Sequence, residues 1–171
     1  FTRDTAQGNF QIQDRVVSTL PGNPDKILVQ MNPSAGEADG VRYASLESGR
    51  LTRKHAQKPR RGILEWLADS GGNVRAGFGV TSDQKSAVMR LKDSAGKWRD
   101  YPGLANDLSF RVLGLPADRP GIFYVLSDHE FSLSALYEFN ADTGQFGKVL
   151  AQHDESEVSG ISLDATGAKI E

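Results

Sequence analysis

Short apolar runs separated by turns rich in Gly, Pro, Asp and Ser fill most of the chain. The apolar positions alternate with a period of two, and Gly or Pro interrupts every stretch long enough for three helical turns. Similar turns follow three of these runs, at 15–20, 63–68 and 110–115, and a fourth run at 158–163 precedes a turn at 164–167. This pattern is typical of β-strands and excludes a helical repeat.

A second apolar run follows each of the three complete turns, at 27–31, 74–80 and 122–126. Strands that are apolar at nearly every position are typical of the inner layers of stacked sheets, where both faces are buried. The sequence therefore predicts that several sheets pack against one another through these runs.

The third element of each unit is a β-hairpin, and residues 41–52 align in this respect with 87–98 and 135–146. Each stretch contains an alternating strand, an Asp/Ser/Thr-Gly turn and a return strand. Glycine at the turn tolerates a positive φ, where a Cβ would be strained. The hairpin glycines are Gly49, Gly96 and Gly144, so the unit repeats after 47 and then 48 residues (96 − 49 and 144 − 96). Four strands that repeat every 40–50 residues or so are the signature of a β-propeller blade.

The predicted fold is therefore all-β, a partial β-propeller of three four-stranded antiparallel blades plus part of a fourth. The blades span 15–57, 63–103 and 108–153, and 158–171 is the first hairpin of a truncated blade. Residues 1–14 are a strand remnant of a preceding blade or an N-terminal extension. Because half a blade exposes unpaired strand edges, we expect the chain to be a fragment of a longer protein.

Several stretches carry a more specific likeness: 25–30, 63–69 with 72–77, and 123–128 with 135–139 and 142–144. They resemble the N-terminal β-propeller of bacterial serine peptidases of the prolyl oligopeptidase family, which includes dipeptidyl and acylaminoacyl peptidases. The resemblance extends from about 15 to 167, although other propellers share the Asp-x-x-Gly turns. In that family the propeller precedes an α/β-hydrolase domain, caps its active site and admits only small peptides.

The hydrolase domain of that family carries a Ser-Asp-His triad on a Gly-x-Ser-x-Gly elbow. This chain contains no such sequence, and the nearest string, 160–164, lacks the closing glycine. The resemblance therefore implies a non-catalytic propeller that gates peptide access to a C-terminal hydrolase domain absent from this chain. Its partners would be that domain and peptide substrates. The alternative is a stand-alone propeller scaffold that binds protein or carbohydrate.

Candidate catalytic and metal-binding groups are few. Ser127, Asp128 and His129 include all three triad residue types, but adjacent side chains point in different directions, whereas a triad is assembled from separate elements. We expect Asp128 to bond local backbone amides in a turn instead. His55 and His153 close the fourth strands of equivalent units and are expected to be exposed imidazoles. The sequence thus predicts no catalytic residue, no cofactor and no metal ligand.

Charge and composition bear on which classes of partner the protein could bind. The net charge is −2, no window reaches the ~18 apolar residues of a membrane span, and cysteine is absent. We therefore expect neither nucleic-acid nor membrane binding, and the compartment stays open between bacterial cytoplasm and periplasm. An acidic cluster is expected to form a loop between blades, where the resemblance would allow contact with a peptide amino terminus. A basic cluster is expected to be a solvated loop. The acidic residues are Asp154, Glu155 and Glu157, and the basic ones are Arg50, Arg53, Lys54, Lys58, Arg60 and Arg61.

Two further expectations concern packing. Recurring aromatic residues are predicted to pack between blades, with Trp98 and Tyr101 harder to assign. The two outer faces of an incomplete array would expose apolar sheet surface, so we expect two copies to pack face to face or to exchange a strand. The recurring aromatic residues are Trp66, Phe110, Phe123, Tyr124, Tyr137 and Phe139.

Overall fold

The computed structural model describes residues 15–31, 40–164 and 170. Its strands form three four-stranded antiparallel sheets, and in each sheet the strands neighbour one another in chain order. The predicted all-β class and the three four-stranded antiparallel units are confirmed, and the sheets do not close into a ring. A four-residue helix, α1 (Pro102–Ala105), follows the second sheet.

The first sheet contains β1 (Arg15–Ser18), β2 (Lys26–Met31), β3 (Gly40–Ser45) and β4 (Leu51–Gln57). The second contains β5 (Ile63–Ala68), β6 (Val74–Val80), β7 (Ala87–Lys92) and β8 (Trp98–Asp100). The third contains β9 (Arg111–Gly114), β10 (Ile122–Ser127), β11 (Ala135–Asn140) and β12 (Gln145–Ala151).

The chain ends of the predicted architecture are described only in part. Residues 1–14, expected to be a strand remnant or extension, lie outside the described residues. Of the hairpin expected at 158–171, residues 158–164 and 170 are described, and Leu163 pairs with Ile170 in an isolated antiparallel bridge. The segment 158–163 also packs against the third sheet, because Val158, Ile161 and Leu163 contact its buried face.

The three hairpin glycines adopt the backbone conformation that their turns require. Gly49, Gly96 and Gly144 have φ values of 65°, 76° and 72° and close the β3–β4, β7–β8 and β11–β12 loops. Loop length nevertheless differs, because 46–49 and 141–144 lie between their closing residue pairs but only 94–96 in the second sheet. Gly49 and Gly144 therefore lie four residues after the last paired residue of the preceding strand, whereas Gly96 lies three residues after it.

The pairing of the strands corrects the alignment of the repeats. Counted back from the closing residues Ser45, Asp93 and Asn140, Val41 corresponds to Met89 and Leu136. The sequence alignment, which pairs Val41 with Ala87 and Ala135, is wrong by two residues and one residue. An odd shift in a strand moves a side chain to the opposite face, so register decides which residues are buried together.

With the corrected register, each sheet turns the same face toward the next. Leu28 and Val41 of the first sheet share a core with Ile63 and Trp66 of the second. The equivalent Ala76 and Met89 of the second sheet share a core with the third, and the equivalent Tyr124 and Leu136 of the third pack against 158–163. The third-sheet members of the second core are mainly aromatic: Phe123, Tyr137 and Phe139.

Five of the six recurring aromatic residues pack between sheets as predicted, whereas Tyr124 packs against 158–163. The two unassigned residues also join the cores between sheets. Trp98 is half-buried with its ring 5.5 Å from that of Trp66. Tyr101 packs its ring edge-on against Phe139, and its hydroxyl donates a 2.5 Å hydrogen bond to the Ala141 carbonyl. Neither residue forms an exposed ligand platform.

Candidate functional site

A groove opens at the edge where the first and second sheets present their β1–β2 and β5–β6 turns. Its volume is about 430 Å³. We call it the turn groove, and it is lined by Leu20, Gly22, Asn23, Lys26, Tyr43, Ser70 and Gly71. Each wall comes from a different sheet, so the groove exists only because the two sheets pack together.

The first wall is the β1–β2 turn, which is held by its own backbone. The Asn23 N–H donates to the Leu20 carbonyl at 2.7 Å, and the Lys26 N–H donates to the Asn23 carbonyl at 3.3 Å. Leu20 has a φ of 52°, a left-handed conformation that is unusual for a residue with a bulky side chain. Its side chain is only 4% exposed, and burying it against Leu28 and Trp66 offsets the backbone cost.

The second wall is the β5–β6 turn, which is held by hydrogen bonds to Asp69. The buried Asp69 carboxylate accepts the Asn73 N–H at 2.8 Å, and Gly72 turns the chain with a φ of 84°. A Cβ at position 72 would lie 2.7 Å from the Leu20 Cδ2 atom and 3.5 Å from the Tyr43 hydroxyl. The two walls therefore meet at Gly72. Because this residue has no side chain, nothing at position 72 covers the Tyr43 hydroxyl, and Tyr43 lines the groove.

The side chains that line the turn groove are mostly hydrogen-bond donors. Within the described residues, the side chains of Asn23, Lys26 and Tyr43 make no hydrogen bond or ion pair. No carboxylate lines the groove, and the nearby Asp69 carboxylate lies 3.8 Å from the Arg75 guanidinium. The groove therefore presents one cation and two polar groups that are free to bind an acceptor.

The corresponding edge between the second and third sheets is closed by Arg75. Its guanidinium donates to the carbonyls of Pro116, Arg119 and Ile122 at 2.6, 3.1 and 2.8 Å. Burial lowers the pKa of Arg75, and the Asp69 carboxylate opposes this shift. The first sheet has Ile27 at the position equivalent to Arg75. An isoleucine side chain has no hydrogen-bond donor, so it cannot bond to the carbonyls of the β5–β6 turn as Arg75 bonds to those of the β9–β10 turn.

Ser127, Asp128 and His129 do not form a triad. The His129 ring stacks on Phe146 with ring centres 4.1 Å apart, and only its backbone N–H contacts the Ser127 hydroxyl, at 3.2 Å. Ser127 itself is buried and lies 3.4 Å from the Ser109 hydroxyl. The turn function expected of Asp128 is performed by Ser127, because a short hydroxyl side chain reaches the amide two residues ahead.

The two other histidines are not structurally equivalent. His55 lies within β4, whereas His153 lies beyond the end of β12. His55 pairs with Arg42, and the residue equivalent to it in the third sheet is Val149, which pairs with Tyr137. His55 is half-buried and accepts a 3.1 Å hydrogen bond from the Arg42 Nε atom, so the expectation of an exposed imidazole is wrong for it. Burial, Arg42 and Lys58 together lower the pKa of His55.

The charged clusters lie on solvated segments. The acidic residues Asp154, Glu155 and Glu157 are exposed in the loop after β12, at the edge opposite the turn groove. There the Gln152 amide donates to the Asp154 carboxylate at 2.6 Å. The six basic residues between 50 and 61 are all exposed. Over 15–31, 40–164 and 170, no three His, Asp or Glu side chains are grouped to hold a metal, and no helix is long and apolar enough to cross a membrane.

Comparison with protein-family models, with curated proteins and with solved structures finds no match to this chain.

Proposed function

We propose that the chain is a consecutive part of a β-propeller and acts as the non-catalytic, peptide-gating module of a prolyl-oligopeptidase-like serine peptidase. One observation carries the propeller proposal: equivalent positions face the next sheet throughout. Leu28, Ala76 and Tyr124 are equivalent in register, and all three pack toward the following segment of chain. Blades related by rotation about an axis present their faces in this head-to-tail way.

The burial of the strands, which differs between the first and the fourth strand of a sheet, supports the same proposal. The backbones of β1 and β5 lie against each other, although they belong to different sheets. By contrast, no residue of β4, β8 or β12 is buried. In a propeller the first strands of neighbouring blades converge near the axis, and the fourth strands form the outer surface.

The peptidase part of the proposal is supported by the sequence resemblance. The stretches that carry it, 63–69 and 123–128, form β5 and β10 with the starts of their following loops. A non-catalytic role agrees with the placement of His129 on Phe146 rather than against the Ser127 hydroxyl. We propose that the partners are a C-terminal α/β-hydrolase domain and the peptides that reach it.

A fluorophosphonate probe, which labels activated serines, tests this assignment. We expect the full-length parent protein to be labelled at a serine outside residues 1–171, within a Gly-x-Ser-x-Gly sequence. The 171-residue chain should remain unlabelled and should not hydrolyse aminoacyl chromogenic peptides. Mass spectrometry of the labelled peptide locates the serine. Labelling at Ser127 would contradict a non-catalytic role, and an unlabelled parent would contradict the peptidase.

A stand-alone binding scaffold is the second candidate, and the unpaired donors of the turn groove favour it. The reading frame of the gene distinguishes the two functions. A stop codon soon after the last blade would support a scaffold, whereas a downstream Gly-x-Ser-x-Gly sequence would support the peptidase.

We also propose that two copies associate through the outer face of the first sheet. Val16 and Leu51 on that face are 52% and 38% exposed, and Val29 is half-buried. The residue equivalent to Val29 in the third sheet, Val125, is fully buried beneath the second sheet. An apolar sheet face of this kind favours association because burying it removes apolar surface from water.

Replacing Val16 and Leu51 with Thr should weaken this association on the order of tenfold or more, because each side chain loses apolar contact area. Sedimentation velocity over a range of concentrations measures the monomer–dimer equilibrium. Leu108→Thr is the matched control, since Leu108 is 96% exposed and lies outside the face. A wild-type chain that stays monomeric at high concentration would be evidence against the interface.

A further inference from the structure

We propose that the turn groove is a binding site for a small ligand that carries a carboxylate, such as a peptide C-terminus or an acidic side chain. Its volume of about 430 Å³ is in the range of small-molecule sites. This inference concerns the first two sheets alone, and it holds whether the parent protein is a peptidase or a scaffold.

The donors of the groove match a carboxylate. Lys26 supplies an ammonium, Asn23 an amide and Tyr43 a hydroxyl, and none of these groups has a partner within the described residues. A carboxylate has two oxygens that accept several hydrogen bonds, and bonds from a charged donor are shorter and stronger than neutral ones. All three donors line one concavity, and in the proposed complex a carboxylate bound there accepts hydrogen bonds from them.

Electrostatics select an anion of low charge. Among the residues that the structure describes, no acidic side chain lines the groove, and the buried Asp69 carboxylate is paired with the Arg75 guanidinium and accepts a hydrogen bond from the Asn73 N–H. A cationic ligand would meet the Lys26 ammonium. A single lysine suits one negative charge, whereas phosphate sites generally gather several cations or a helix N-terminus.

The groove also has an apolar part and a rigid frame. The half-buried Tyr43 ring packs against the core between the first two sheets and offers aromatic surface beside the donors, whereas Leu20 is almost completely buried. Leu20 is locked by burial in its left-handed conformation, and Gly72 packs directly beneath it. The fixed backbone limits the conformational entropy lost when a ligand binds, and the remaining cost is that of ordering the exposed Asn23 and Lys26 side chains.

Titration with N-acetyl-Ala-Ala, followed by amide NMR, tests the site. We expect shifts confined to residues 20–26, 43 and 70–72, with a dissociation constant in the millimolar range, and little response to the C-terminally amidated peptide. Lys26→Met and Tyr43→Phe should each weaken binding, Lys26→Met on the order of tenfold, because its bond is charge-assisted. Lys148→Met is the matched control, because Lys148 is an exposed residue of β12 in the third sheet. The spectra themselves show that each variant is folded.

A parallel titration with N-acetyl-Glu-N-methylamide identifies the source of the carboxylate. Binding of this compound supports the proposal and assigns an acidic side chain, whereas binding of the free-acid dipeptide alone assigns a C-terminus. Equal binding of the acid and the amide, unchanged affinity in Lys26→Met, or shifts outside the groove would each overturn it.

Discussion

Arg75→Met should lower the free energy of unfolding by about 3–5 kcal/mol, because it removes three charge-assisted hydrogen bonds and the cation that faces the buried Asp69 carboxylate. Arg75 is only 4% exposed, and its guanidinium carries the contacts between the second sheet and the β9–β10 turn. Removing it takes one hydrogen bond from each of three carbonyls, of which those of Pro116 and Arg119 keep a backbone partner. The buried Asp69 carboxylate loses its cation, and the Phe123 ring 5.0 Å away loses a cation–π contact. Methionine fills most of the volume, so the loss reports polar pairing rather than a cavity.

Urea unfolding followed by far-UV circular dichroism measures this loss of stability. Two further variants show whether it comes from the hydrogen bonds of the Arg75 guanidinium. Arg75→Lys keeps the charge but cannot reach three carbonyls in a planar fork, so we expect an intermediate loss. Arg119→Met is the matched control, because the Arg119 side chain is 39% exposed, and its ion pair with Glu138 and hydrogen bond to the Tyr124 hydroxyl should together contribute only about 1–2 kcal/mol. Equal losses in Arg75→Met and Arg119→Met would contradict the proposed role of Arg75.

The strands and hairpins were predictable because their determinants are local. Period-two apolar runs and a glycine at each hairpin loop require only neighbouring residues, and the positive φ angles of Gly49, Gly96 and Gly144 follow from that chemistry. The register between repeats was not predictable in this way. One residue fewer in the β7–β8 loop accounts for one residue of the shift in the second unit, and only the sheet pairing gives the full register.

The candidate site is a different case, because its residues come from separate sheets. Asn23 and Lys26 lie some 45 residues before Ser70 (70 − 23 = 47, 70 − 26 = 44), and no local pattern brings them to one groove. Arg75 left a clearer signal, a charged residue inside a run that is otherwise apolar and glycine-rich. Such a residue in a doubly buried strand must find partners, but the sequence does not say that they are carbonyls of the next sheet.

The histidines show the same limit. His55 and His153 both follow the third strand of their units, which suggested equivalent positions. Equivalence in a sheet depends on register rather than on sequence order, and the register places Val149, not His153, at the position of His55. His55 therefore meets Arg42 across the first sheet, whereas His153 lies beyond its sheet.

Trp66→Ala should cost about 3–5 kcal/mol, the range for truncating a fully buried aromatic side chain. Trp66 is completely buried between the first two sheets, next to Trp98 and opposite Gly77 on the adjacent strand. Glycine at 77 is explained by this packing, because a Cβ there would lie 2.7 and 2.9 Å from two carbon atoms of the Trp66 ring. Gly77→Ala alone should therefore destabilise the protein by about 1–3 kcal/mol through overpacking.

The two substitutions should be strongly non-additive. In the Trp66→Ala background the alanine at 77 meets no ring, fills part of the cavity and removes a flexible glycine from a strand, so its cost should fall to near zero or become a small gain. A double-mutant cycle measured by urea unfolding gives the coupling, which we expect to be about 1–3 kcal/mol. Gly160→Ala is the matched control, because a Cβ at 160 meets nothing within 4 Å. It should show no coupling to Trp66. If Gly77→Ala costs the same with and without the Trp66 ring, then the ring does not explain the glycine, and the packing between the first two sheets differs from that described.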